Sequence, residues 1–200
     1  MFQLLFLGTS SLGAAAVLLW SGARRTHKTA AALLAYHAGL MLALIFAPSI
    51  WSPAFFVVGN GLLCVLSAAV GLEAARRHGY FGVVSFDGLL LSGCAAVAGF
   101  MLVQYMPGHG QFRGMIAPYI AAAAVLSVTA QRVRTVGDVE ATLLWGLALT
   151  RWLNALRFAV LEVGPAYSAW VGGMATVAWI AWTAMVCRHC FSADAESKLR

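Results

Sequence analysis

Charge is what this sequence has least of. Lys and Arg supply 13 of the 200 residues and Asp and Glu supply 7, a charged fraction of 10%, where soluble domains carry about 25%. With 62% of residues hydrophobic, a water-soluble fold is excluded. Lysine is scarcer still: Lys28 and Lys198 are the only two, and neither lies inside an apolar stretch. No buried amine is available for a Schiff base, so a retinal-type seven-helix protein is excluded too. Nucleophile elbows, zinc-protease signatures and phosphate-binding loops are all missing, which leaves no catalytic residue to name and no cofactor to expect. Metal chemistry is poorly served as well. His27, His78 and His189 sit beside basic segments, and only His37 within a span and His109 in a turn remain, without neighbouring Cys, Asp or Glu. His37 therefore reads as a helix-contact or capping group.

What the sequence does have is length of apolar chain. Seven hydrophobic stretches run at 2–22, 29–47, 54–73, 83–105, 114–131, 141–161 and 168–187, each near the ~20 residues a helix needs to cross a ~30 Å hydrocarbon core. The expected fold is an all-α, seven-transmembrane-helix bundle over residues 1–190, followed by a tail at 191–200. Alternate connections hold Arg24, Arg25 and Lys28, then Arg76 and Arg77, then Arg132 and Arg134, then Arg188, Lys198 and Arg200. The opposite connections hold only Arg113, so the positive-inside rule puts the N-terminus outside and the C-terminus in the cytoplasm. Residues 2–22 lack a basic leader and outrun the usual signal-peptide core, so they read as a retained first span. Trp51, Tyr105, Tyr119, Tyr167 and Trp170 fall at the outer boundary, where aromatic belts form. Cys64, Cys94, Cys187 and Cys190 lie within spans or at their inner ends and read as reduced thiols. The net charge of +6 is spread over short clusters between spans, where it acts on topology and anionic lipid; no nucleic-acid partner is implied.

The sixth stretch breaks the apolar rule. Arg151, Asn154 and Arg157, with Phe158, fall at helical spacing along one face. An arginine at mid-bilayer costs ~2.5–3.5 kcal/mol on insertion scales, so that face should look into the bundle or into a water-filled cavity. Asn60, Gln104 and Tyr119 fall at a similar depth on other spans. These six residues define an expected ligand pocket that opens outward, with a positive balance suited to an anionic or carbonyl-bearing small molecule. The competing reading is structural, with Arg151 tied to a carbonyl or to Asn60 and Arg157 reaching the outer headgroups or Glu162. At the inner side, Glu73 and Asp87 are expected to pair with Arg76 or Arg77.

Several landmarks recur in one order: Leu19 to Arg25 closing the first span, Ala35-Tyr36 in the second, Gly59 to Leu63 and Gly71 to Arg77 on the third, and Arg151 to Arg157 in the sixth. This order resembles the multi-span N-terminal sensor region of bacterial diguanylate cyclases of the GGDEF family. The tail Ser192 to Arg200 looks like the start of the charged helix that leads into the catalytic domain, and Glu196 and Arg200 stand at ion-pair spacing. The resemblance implies a multi-pass sensor of the bacterial inner membrane. It would bind a small ligand outside and pass the change, directly or through the geometry of a homodimer, to a cytoplasmic output. These 200 residues hold no GG(D/E)EF sequence, so the chain as given is no enzyme. A small transporter or channel, or a structural subunit of a membrane assembly, is the alternative. A transporter would be marked by helices broken at mid-membrane.

Overall fold

The computed structural model describes residues 2–20, 28–47, 52–79, 114–134, 138–161 and 164–198. All regular structure among them is helical: α1 (Phe2–Trp20), α2 (Lys28–Phe46), α3 (Pro53–Arg77), α4 (Ile116–Val133), α5 (Asp138–Val160) and α6 (Pro165–Lys198). The expected span at 83–105, with Gln104, Asp87 and Cys94, lies outside the described residues, as do Arg113 and Glu162. Four segments, Lys28–Phe46, Phe55–Arg77, Ile116–Val133 and Pro165–Cys190, are long and apolar enough to cross a membrane. By length and composition the described residues thus hold four candidate membrane spans. The apolar part of α1, Leu4–Leu19, is shorter, and α5 carries Asp138, Glu140, Arg151 and Arg157, so composition alone does not mark these two as spans.

Local chemistry sets the helix ends. Ser52 caps α3, its Oγ accepting from the Phe55 amide at 3.1 Å, with Pro53 in the first helical position where a missing N–H costs nothing. The helix stops at Gly79, whose φ of 77° lies in the left-handed region that closes a helix.

The helices pack in chain order, α1 on α2, α2 on α3, α3 on α4, α4 on α5 and α5 on α6, and α6 returns to α1. The described helices therefore close into a ring. Neighbours α3 and α4 run parallel, because Tyr119 near the start of α4 meets Asn60 early in α3, while Leu126 and Thr129 meet Gly71 further along. Leu18, Leu33, Leu34, Leu126, Leu147 and Trp182 fill the interior. The outer surface is apolar too, with Phe6, Val58, Val128, Leu149, Trp170 and Val177 exposed. A face of this kind would aggregate in water and is at home against lipid tails.

One end of the ring is polar. The Thr29 amide donates to Glu73 at 3.0 Å, and its hydroxyl donates to the same oxygen. Glu73 lies 3.9 Å from Arg77, the interfacial pairing expected of it. Arg77 also pairs with Glu140, which His78 Nε2 meets at 2.6 Å. This clamp joins α2, α3 and α5 where the basic clusters gather. At the opposite end Tyr167 and Trp170 are exposed at 64% and 78%. Tyr119 corrects the belt reading: it is 2% exposed and turned into the bundle, because Asn60 supplies a partner for its hydroxyl there.

Glycine sets the α5 to α6 spacing. A Cβ on Gly146 would lie 3.0 Å from Met185 Cε and 3.2 Å from Trp182 Cδ1. Gly146→Val should therefore destabilise the bundle by about 1–3 kcal/mol through overpacking. Gly173→Ala, with nothing within 4 Å of its added carbon, should leave the thermal midpoint of the detergent-solubilised protein unchanged.

Candidate functional site

Arg151 sits well inside α5. At 1.5 Å per residue it lies roughly 20 Å from the Asp138 end and roughly 14 Å from the Val160 end. It is 1% exposed. A single hydrogen bond serves it among the described residues: Nε donates to Ser67 Oγ of α3 at 2.8 Å, while the Ser67 hydroxyl donates to the Leu63 carbonyl at 2.6 Å. The guanidinium carbon lies 5.0 Å from the centre of the Trp179 ring of α6, a cation–π contact. Nη2 is buried and has no hydrogen-bond partner, and no carboxylate pairs with the side chain among the described residues.

Trp179 carries the connection further. Its Nε1 donates to Ser11 Oγ of α1 at 2.9 Å, and Ser11 shares a 2.8 Å hydrogen bond with His37 Nδ1 of α2. The His37 ring also packs on Trp179, with centroids 4.2 Å apart. His37 is thus a helix contact, and the arginine is wired through one indole to α1, α2 and α6 and through one serine to α3.

Nearer the Val160 end a second polar group forms. Tyr119 donates to Asn60 Oδ1 at 2.7 Å, and Asn60 Nδ2 donates to the Phe56 carbonyl at 2.8 Å. The Tyr119 ring stacks on Phe158 with centroids 5.7 Å apart. Asn154 Nδ2 bonds back to the Thr150 carbonyl at 2.8 Å, leaving its carbonyl oxygen for other contacts. Arg157 is exposed and lies over α6, where a Cβ on Gly172 would come within 3.1 Å of its Nε. A larger residue there would push that side chain aside by a few tenths of an ångström.

These groups enclose a cavity of about 370 Å³. Its polar wall includes His37, Asn60, Tyr119, Arg151, Asn154, Arg157 and Thr176; its apolar wall includes Leu4, Leu40, Leu44 and Phe55. The lining comes from the first half of α1, the second half of α2, the first half of α3 and the start of α4, joined by the second half of α5 and first half of α6. All of these belong to the half of the ring away from the Glu73, Arg77 and Glu140 clamp. Five of the six residues expected to form a pocket therefore line one cavity, and Gln104 lies outside the described residues. Within the inward-facing stripe of α5 the burial is graded: Arg151 and Phe158 are buried, Asn154 is half-buried, and Arg157 is at the rim. The structural alternative for Arg151 has a different partner from the one expected, since Ser67 rather than Asn60 or a carbonyl holds it.

Searches of protein families, of curated proteins and of solved structures return no match to this chain. The site must be understood from its own geometry.

Ser11, Ser67 and Trp179 are the residues that sequence reasoning missed. The serines are lone hydroxyls in apolar runs and Trp179 is one of seven tryptophans. The one usable signal was depth, because a buried guanidinium needs acceptors at its own level on neighbouring helices. Tyr119→Phe should remove the bond to Asn60 and keep the stack on Phe158, lowering stability by about 1 kcal/mol. Equilibrium unfolding of the purified protein in detergent reads this directly.

Proposed function

We propose that the chain is a membrane-embedded sensory input domain that binds a small ligand in this cavity and passes the change to a cytoplasmic output such as a GGDEF-type cyclase. The observation that carries the reading is Arg151: a buried guanidinium with an unpartnered Nη2, lining a cavity and joined through Trp179 to α6. An uncompensated charge among apolar helices is retained at a cost, and intramembrane ionisable groups mark functional sites. Helix α6 runs without a break from Pro165 past the cavity wall to Lys198, about 50 Å of helix in all at 1.5 Å per residue, well beyond one bilayer core. Movement at Trp179 has a rigid path to the far end. A ligand drives that path only to the extent that it binds one arrangement of the bundle better than another.

In this reading the bundle crosses the bilayer of a bacterial inner membrane seven times, with the cavity half outside. The polar clamp and the basic residues Arg76, Arg77, Arg132, Arg134 and Arg188 share the opposite half, the arrangement of cytoplasmic ends. Because α3 and α4 are parallel neighbours, the two ends that residues 80–113 join lie at opposite ends of the bundle. That supports a seventh crossing at 83–105. The described helices are also unbroken. Pro53 and Pro165 begin α3 and α6, and Pro118 is in the first turn of α4, which favours a sensor over a transporter with discontinuous helices.

The test has two linked readouts. Sequencing the source gene past the codon for Arg200 should reveal a frame that continues through a charged helix into a GGDEF-type domain; a stop codon there would move the weight to a stand-alone transporter. In cells producing that full chain, Arg151→Gln and Asn154→Ala should alter output while the protein still reaches the membrane. Unchanged signalling by folded variants would remove the pocket from the mechanism.

A further inference from the structure

We infer that the ligand is an amphipathic organic carboxylate, with its head on Arg151 and its hydrocarbon body along the apolar wall. This deepens the reading above and rests on it. Four observations converge. First, Arg151 presents a planar fork with one N–H used by Ser67 and with Nη2 unpartnered. A carboxylate matches that fork in plane, charge and spacing, and the pairing is strong in a site shielded from water. Second, the described residues provide no carboxylate for this cation, so an incoming one completes the site without displacing a partner.

Third, the cavity wall holds one buried cation among the described residues. Tyr119 gives its proton to Asn60, and Asn60 and Asn154 each give one amide proton to their own helix. His37 and Thr176 also line the cavity, and the guanidinium is the strongest donor to an anion deep within it, with Arg157 at the rim. Fourth, the lining also includes hydrocarbon from Leu4, Leu40, Leu44 and Phe55, each nearer to an end of its helix than the Ser11, His37 and Ser67 that mark the level of the arginine. A small inorganic anion would leave this wall dry and empty. An alkyl or aryl body fills it, and the ~300–1,000 Å³ range of small-molecule sites covers the cavity at about 370 Å³.

The test is competition on the full chain in non-ionic detergent, with radiolabelled decanoate as the probe. Saturable binding is expected, with unlabelled decanol at least about tenfold weaker as a competitor, the loss of one hydrogen bond to a charged group. Arg151→Gln should abolish binding. Arg151→Lys, which keeps the charge and loses the fork, should weaken it. The wild-type competition stands even if a variant misfolds. Equal displacement by decanol would overturn the carboxylate and leave a ligand cavity in place. Stronger displacement by decyl phosphate would overturn it in favour of a phosphate head, the chemistry of a bilayer phospholipid. Absence of saturable binding by all three amphiphiles would overturn this inference, and retained output defects in Arg151→Gln would then show that the sensory reading survives without it.

Discussion

A guanidinium held away from water, whose partners among the described residues are one serine hydroxyl and the face of one indole, is the interaction about which the polar groups of the cavity are arranged. Arg151 can be at its depth in α5 only because Ser67 on α3 and Trp179 on α6 reach the same level. Trp179 is held 5.0 Å from the cation with Ser11 accepting its N–H and the His37 ring packed on it. Five of the six described helices therefore meet at one charged group. Contacts from that group reach α1, α2, α3 and α6, and the proposed sensory role draws on them.

The energetic logic separates this centre from the clamp at the other end. Glu73, Arg77 and Glu140, with the His78 ring, satisfy one another at a partly exposed edge, where pairing stabilises modestly and holds three helix ends in register. Among the described residues Arg151 has no such compensation. A buried charge with an open donor is poor construction for stability alone, since a well-packed apolar side chain in its place is often at least as stable. Arg151 also lines the cavity, and the proposed ligand would bring the acceptor that the described residues do not supply.

Much of this was legible in the sequence, for physical reasons that differ by element. Apolar stretches at 29–47, 54–73, 114–131 and 168–187 correspond to α2, α3, α4 and α6 because long hydrophobic runs bounded by charge or proline leave few other options. The helix ends were less legible: α3 runs to Arg77 and α6 to Lys198, since a helix continues past the hydrocarbon edge when its polar residues are good helix formers. The stripe of Arg151, Asn154 and Arg157 announced itself by cost. Their partners did not, because Ser11, Ser67 and Trp179 are ordinary residues in apolar helices until the ring closes. Tyr119 was the opposite case, a residue whose position near a helix start fits an aromatic belt and whose hydroxyl found Asn60 inside instead.

The central claim is that Arg151 serves a ligand rather than the fold, and its most direct test is the stability of the ligand-free protein with that charge removed. Thermal unfolding of purified Arg151→Met in non-ionic detergent should give a midpoint equal to or above that of the wild type, because methionine fills the site without an orphaned donor while Ser67 keeps its bond to Leu63. A midpoint several degrees below wild type would show that Ser67 and Trp179 hold Arg151 for the sake of the bundle, and would contradict the account.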